Sequence, residues 1–445
     1  MNVQTFIAGF QQFDKTAIVS QGEHFSYAWL SKKIAEYEAT LQNQGISSGA
    51  IVQINADFSP YSVAMLFALA NTNCIIVPMT NVVPAKQQEY QAIVGIEYVV
   101  TFHDAQFAIE PLQYRLQHDL VMRLRKENHP GLIIMSSGSS GKSKAIIHDF
   151  NNLLMNFREK KTAFRTISFL LFDHIGGFNT ILCNLFSGGT LIIPEVRETD
   201  AVAKVVEAEK VEVLVTSPSF LNLLLLSQAH EKYDLHSLKI VNYGSEPMPE
   251  SLLHRLNAAF PEVRFFQAYG LSEIGVLKAK SKASDSLFIK LDEDPERVRI
   301  NDGMLEVKLE NGMLGYLNAP SPYTEDGWFK TGDMVMEQDG YIKILGRKSD
   351  VINVGGEKVY PGEIENVLLK MEGIEDAVVS GEPNAILGNI VAVKVRVKSG
   401  FDPGEFKTKL IFFCRTQLPA YKIPQKIEFV EHTFHGQRFK KMRNL

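Results

Sequence analysis

Cysteine is scarce in this sequence, and its three copies stand apart, at Cys74, Cys183 and Cys414 of 445 residues. Isolated thiols make neither a disulfide framework nor a metal site, so the fold rests on packing; the usage predicts a reducing, cytoplasmic setting with the cysteines as small buried apolar side chains. Long apolar runs are missing as well. Stretches such as "YSVAMLFALA" and "LNLLLLS" are too short to span a bilayer. The start, "MNVQTFIAGFQQFDKTAIV", has no basic segment followed by an apolar core, so no signal peptide is expected. Neither sign of charge dominates. With 46 basic and 51 acidic residues the formal net charge is -5, which argues against a surface built mainly for nucleic acid or anionic lipid. No internal repeat or low-complexity tract occurs. What is present is a soluble, globular composition, 45% apolar and 22% charged, in a chain long enough for more than one domain.

Through the first three quarters, short β-rich runs alternate with amphipathic stretches. "YAWLSKKIAEYEATLQNQGI" and "SVAMLFALANT" read as helices, "AIVQINA" and "CIIVPM" as strands, and the rhythm returns in "GGTLIIPE", "AVAKVVEAEKV", "EVLVTS" and "LKIVNYG". Such alternation predicts parallel sheets covered by helices, with ligands at the carboxyl ends of the strands. From about Leu287 short strands and turns take over. A compact βα segment then follows "GRKSD", placing a domain boundary near 347–350 and leaving a C-terminal lobe of roughly 95 residues.

After the strand "GLIIM" comes "SSGSSGKSK", from Ser136 to Lys144. Small residues let backbone N–H groups converge on an anion, and lysine adds a point charge. The "GKS" tail imitates a Walker A loop, but Ser136 occupies the place of that motif's first glycine. A flexible surface loop or a phosphate loop of another class remains open at this point. Four further segments bear on it: "YGSEP" (243–247), "QAYGLSE" (267–273), "GWFKTGD" (327–333) and "GRKSDVINVGGEKVYPGEIE" (346–365).

In this order the set resembles the adenylate-forming superfamily of acyl-CoA synthetases, adenylation domains of peptide synthetases and firefly luciferase. The resemblance covers nearly the whole chain, and its motif style is closest to the acyl- or aryl-CoA synthetases. It implies an α/β fold: a large N-terminal domain (1–346) with parallel sheets flanked by helices plus a small β-barrel-like part, and a small mobile α+β C-terminal domain (347–445) hinged near 347–350. It also implies activation of a carboxylic acid with ATP and Mg²⁺, as an acyl-adenylate with release of pyrophosphate, then transfer to a thiol. That thiol belongs to CoA or to the phosphopantetheine of a carrier protein acting in trans.

By the same resemblance, Ser136, Ser137, Gly138, Ser139, Ser140 and Lys144 receive the ATP phosphates. Glu273 binds Mg²⁺, Ser272 serves the α-phosphate, and Tyr269 with Gly270 lies against adenine. Gly244, Ser245 and Glu246 flank the base on its other side, with Gln267 near its amino group. Asp333 takes the ribose hydroxyls, and Arg347 the ribose and phosphate region. "FLLFDHIGGFNT" places His174 at the mouth of an acyl pocket, against two alternatives: a histidine satisfied by a backbone group, and a registration that stresses Asp173. Asn242, Tyr243, Gly244 and Ala268 are expected to line that pocket, and Gly355, Gly356 and Glu357 to admit the thiol.

The sequence also departs from the pattern. Ser143 and Ala145 replace the usual proline and glycine of the phosphate loop, and Ser349 stands at the hinge position. The family's terminal G-K segment appears as "TFHGQRFKKMRNL", which puts Gln437 at the catalytic lysine and Lys440 at the basic residue after it. Losing a charge-assisted contact in the transition state costs on the order of a few kcal/mol. Arg438, Lys440 or Lys441 then substitutes, or the protein is a catalytically impaired nucleotide or acyl-adenylate binder. Lys441 and Arg443 are expected to belong to a solvated basic tail.

Overall fold

Alternating β-branched strands and helices build two seven-stranded sheets in the computed structural model, which describes every residue except 115, 138–141, 158, 292–294, 399–402, 437–440 and 442–445. In the first sheet the order runs Arg264–Gln267, Ile240–Tyr243, Val213–Thr216, Arg165–Ile167, Thr190–Ile193, Thr16–Ser20, Glu23–Ser26. All neighbours are parallel except the last pair, where Thr16–Ser20 returns as a hairpin. The runs "VLVT" and "IVNY" carry apolar residues on successive positions because both faces are covered.

The second sheet is parallel at its centre, through Ile75–Met79, Ile51–Asn55 and Tyr98–His103, and antiparallel at its edges. Gly131–Ser137 pairs antiparallel with Ser143–Asp149, so the Gly/Ser stretch joins two strands of one hairpin. Helix Pro60–Asn71, "PYSVAMLFALAN", is buried almost throughout and fills the space on one face of this sheet. A reciprocal Ser59–Ser62 capping box and Pro60 in the first turn start it.

The β-rich stretch beyond Leu287 contributes to a six-stranded antiparallel sheet ordered from Ala279–Ser281 to Val298–Asn301. A final five-stranded sheet contains only residues beyond 350: Ile374–Asn384 and Gly388–Val397 form its long hairpin, and Lys426–Phe429 adds a parallel edge. Its own core gathers Val359, Ile364, Leu368, Val379, Val393 and Leu410. Among the described residues no helix is long and apolar enough to cross a membrane.

Candidate active site

The carboxyl ends of Val213–Thr216, Ile240–Tyr243 and Arg264–Gln267 open onto a cavity of about 1000 Å³. Strand alternation decides which side chains enter it. Ile240 and Asn242 face the cavity, whereas Val241 and Tyr243 turn to the opposite face and join the core. Tyr243, expected in the acyl pocket, is therefore corrected: its ring is 1% exposed and does not line the cavity. Gly244 follows, and a Cβ there would meet the carbonyl of Ala268 at 2.7 Å, so only glycine lets the two loops close up. Ser245 has φ 68°, a left-handed conformation that a serine adopts at a cost.

At the polar end, Gly244, Ser245, Gln267, Ala268, Tyr269, Gly270, Ser272, Glu273 and Arg347 line this cavity with Ser136 and Lys144. Asp333 joins them in an adjoining cleft of about 440 Å³ that shares Gly244, Tyr269 and Arg347. The Tyr269 hydroxyl donates to Asp333 Oδ2 at 2.7 Å, and Arg347 Nε lies 2.8 Å from Asp333 Oδ1. Arg347 also donates to the carbonyl of Thr331 at 2.9 Å. Burial raises the Asp333 carboxyl's pKa, while Arg347 and the Tyr269 hydroxyl pull it back. Gln267 Oε1 is buried without a hydrogen-bond partner, an acceptor suited to an amino group entering the cleft. Glu246 is differently employed: its oxygens accept the amides of Ser219 (2.7 Å) and Lys441 (3.0 Å).

Beside the hairpin of Gly131–Ser137 and Ser143–Asp149, Lys144 Nζ sits 4.7 Å above the Tyr316 ring, and the Tyr316 hydroxyl donates to Glu273 Oε1 at 2.8 Å. Burial, then the neighbouring Glu273 charge, pushes the Tyr316 phenol well above its ordinary pKa, so it stays a donor. Glu273 supplies the hard carboxylate oxygen that Mg²⁺ requires, on the same wall as Ser136 and Lys144, so the donor chemistry fits the ion. Gly138, Ser139 and Ser140 lie outside the described residues. Ser137 ends the strand, its backbone paired with Ser143.

His174 lines the cavity and caps helix Ile175–Phe186, Nδ1 accepting the Gly176 amide at 3.0 Å, so a neutral ring carries its proton on Nε2. The ring is thus held by a backbone contact while it lines the cavity. Asp173 does not line the cavity.

His148 was missed by motif reasoning. It is fully buried on strand Ser143–Asp149, and its Nε2 lies 2.7 Å from the carbonyl of Ser272, next to Glu273. Burial drives its pKa down to about 4, against the pull of the Ser272 carbonyl, so it is a neutral donor holding that carbonyl. A histidine inside the apolar run "AIIHDF" was the available signal.

The C-terminal lobe closes the smaller cleft with Pro361, Gly362, Glu365, Asp376, His435 and Lys441. Lys441 is corrected from a solvated tail to a buried cation. Its side chain is 13% exposed, Nζ lies 2.9 Å from Asp376 and 3.9 Å from Glu365, and it donates to the carbonyl of Ala377. Burial works against its charge, but Asp376 and Glu365 outweigh it and hold the pKa above the usual lysine value. Gln437, Arg438, Lys440 and Arg443 lie outside the described residues. Gly355, Gly356 and Glu357 form an exposed hairpin turn, with φ of 60° and 94° at the glycines, and line neither cavity.

A family model described as AMP-binding enzyme matches residues 7–297, and one described as AMP-binding enzyme C-terminal domain matches residues 363–437. The chain belongs to the AMP-binding enzyme family. Within that family it is a ligase of the acyl-CoA synthetase kind. It is 28% identical over 330 residues to a Rhodococcus jostii propanoyl:CoA ligase whose acyl group bears a methyl-dioxo-octahydroindenyl ring system; this match spans 70% of the chain and 64% of that ligase. It is 24% identical to the 2-succinylbenzoate–CoA ligase of Listeria innocua, over 94% of the chain and 93% of the relative. The fold is also that of the anthranilate CoA ligase AuaEII solved with anthranoyl-AMP: TM-score 0.82, 17% identity, covering 99% of this chain and 97% of that one.

Proposed function

We propose that the protein joins a small carboxylic acid to the thiol of CoA through an acyl-adenylate. A carboxylate oxygen of the acid forms a bond to the α-phosphorus of ATP, the α–β phosphoanhydride breaks, and pyrophosphate leaves. The thiolate then attacks the acyl carbon, and AMP leaves with both electrons of the C–O bond. The observation that carries this reading is one cavity uniting a polar, cationic nucleotide end with an acyl-sized extension beyond His174. Across it and the adjoining cleft, Tyr269 on one side and Gly244 and Ser245 on the other bracket adenine, Gln267 Oε1 accepts from its amino group, and Asp333 takes the ribose hydroxyls, oriented by Arg347 and Tyr269.

Lys144 and the Ser136 end of the hairpin face the charge that grows on the phosphate oxygens. Glu273, steadied by the Tyr316 hydroxyl, would hold Mg²⁺. When bound, that ion neutralises phosphate charge. His148 holds the Ser272 carbonyl and so positions the "SE" pair. Residues 347–350, Arg347 followed by the single helical turn Lys348–Asp350, serve as the hinge on which the small lobe turns to present Gly355–Glu357 to the thiol. The setting proposed is cytoplasmic.

Pyrophosphate release from ATP across a mixed panel of carboxylic acids, with and without CoA, tests the reading. Release with AMP as coproduct and a CoA-dependent rise is expected. Formation of ADP, or ATP binding with no release for any acid, would overturn it. Turnover that requires a phosphopantetheinylated carrier and ignores CoA would reassign the acceptor.

A further inference from the structure

The acyl half of the cavity is longer and more polar than a short, purely apolar acid needs. It follows the first sheet from Thr216 at the carboxyl end of strand Val213–Thr216 to Val213 at its other end, a distance of about 10 Å. Alongside, it follows helix Ile175–Phe186, about 18 Å long, from His174 to Ser187. Between its ends the wall is largely apolar, with Leu170, Ile175, Val215 and Ile240, interrupted by Thr166, Asn179 and Thr180, the last with its hydroxyl already given to the Gly176 carbonyl. Its far end is not: Lys161, Thr162, Asn184 and Ser187 meet there. Lys278, just after a short strand packed against the same helix, adds a second cation to the lining. The carboxylates among the described lining residues, Glu273 and Asp350, both sit at the nucleotide end.

Asn184 carries the second, independent observation. It is 7% exposed, its amide donates to the Phe164 carbonyl at 3.0 Å, and its buried Oδ1 has no partner. An acceptor in that state calls for a hydrogen from water or ligand, and a bridging water can give its other hydrogen to a carboxylate. Lys161 is exposed at this end, so an anionic group placed there keeps part of its hydration and avoids the full cost of burying a charge.

From these zones we infer that the substrate is an acid with a second, anionic group at its far end, separated from the reacting carboxylate by an apolar spacer. At about 1.2 Å per bond of extended chain, a 10 Å path holds roughly eight bonds. This inference rests on the adenylation reading above and names the substrate class of that site.

Pyrophosphate release should be compared for extended dicarboxylic acids of roughly seven to ten carbons, their monomethyl esters, and monocarboxylic acids of equal length. The diacid is expected to exceed its ester in kcat/KM by about fivefold or more, the size of one partly exposed charge contact. In Lys161→Gln/Lys278→Gln that ratio should fall to about one, and Lys161→Glu should reverse it. Lys160→Gln, whose ammonium stands over the Phe13 ring, should leave the ratio unchanged. Because each ratio is taken within one protein, a loss of folded material cancels. Esters or monoacids that match the diacid in the unmodified protein, or a ratio insensitive to both lysines, would overturn this inference alone. No release with any acid would overturn the adenylation reading beneath it as well.

Discussion

His148 offers a direct way to perturb the site from behind. Its ring is fully buried, its Nε2 holds the Ser272 carbonyl at 2.7 Å, and its pKa falls from the ordinary 6.5 to about 4. Since the folded value lies below the unfolded one, the unfolded chain takes up the proton first. Stability from this residue is therefore complete above about pH 6.5 and is lost as pH falls toward 4. With those two values, the loss between pH 7 and pH 5 comes to about 2 kcal/mol, approaching 3 kcal/mol below pH 4. His148→Gln keeps an N–H donor for Ser272 but cannot titrate, so its loss over the same interval should be smaller by about 2 kcal/mol. Urea unfolding at pH 7 and pH 5, followed by tryptophan fluorescence, measures this in the large lobe, because both tryptophans, Trp29 and Trp328, lie there. Equal losses in the two proteins would refute the buried, neutral donor, whatever the absolute stability of the variant.

Asp333→Asn should raise the KM for ATP by about 30-fold or more, corresponding to roughly 2 kcal/mol for a charge-assisted contact, with kcat less affected; steady-state kinetics at saturating acid would show it. In Glu273→Gln, pyrophosphate release should fall at least about 100-fold, while ATP binding measured by calorimetry in EDTA stays near the unmodified value; retained Mg²⁺-dependent turnover would remove Glu273 from the metal. Lys441→Met leaves Asp376 and Glu365 buried without their cation and should destabilise the small lobe by about 3 kcal/mol, read as faster hydrogen exchange in Ile374–Asn384. Lys441's raised pKa means that its contribution holds below about pH 10.4 and fades as pH climbs through the higher folded value, so the variant's deficit should shrink at strongly alkaline pH.

Motif order and periodicity determined much of the architecture. The alternation of "EVLVTS" and "LKIVNYG" with helices dictates parallel strands, and parallel strands place a site at their carboxyl ends, where Gly244 and Gln267 stand. Run length argued against a membrane span, and the near balance of charge against a surface built mainly for nucleic acid. Other features depend on which side chains meet across long separations, and local pattern does not encode that. Tyr243 and Asn242 are neighbours in sequence, yet only the sheet's register shows that one enters the core and the other the cavity. His148 gains its meaning from Ser272, 124 positions away. Lys441 looks like part of a basic tail until Asp376 and Glu365 surround it, because whether a charge is solvated or buried is decided by its neighbours in space.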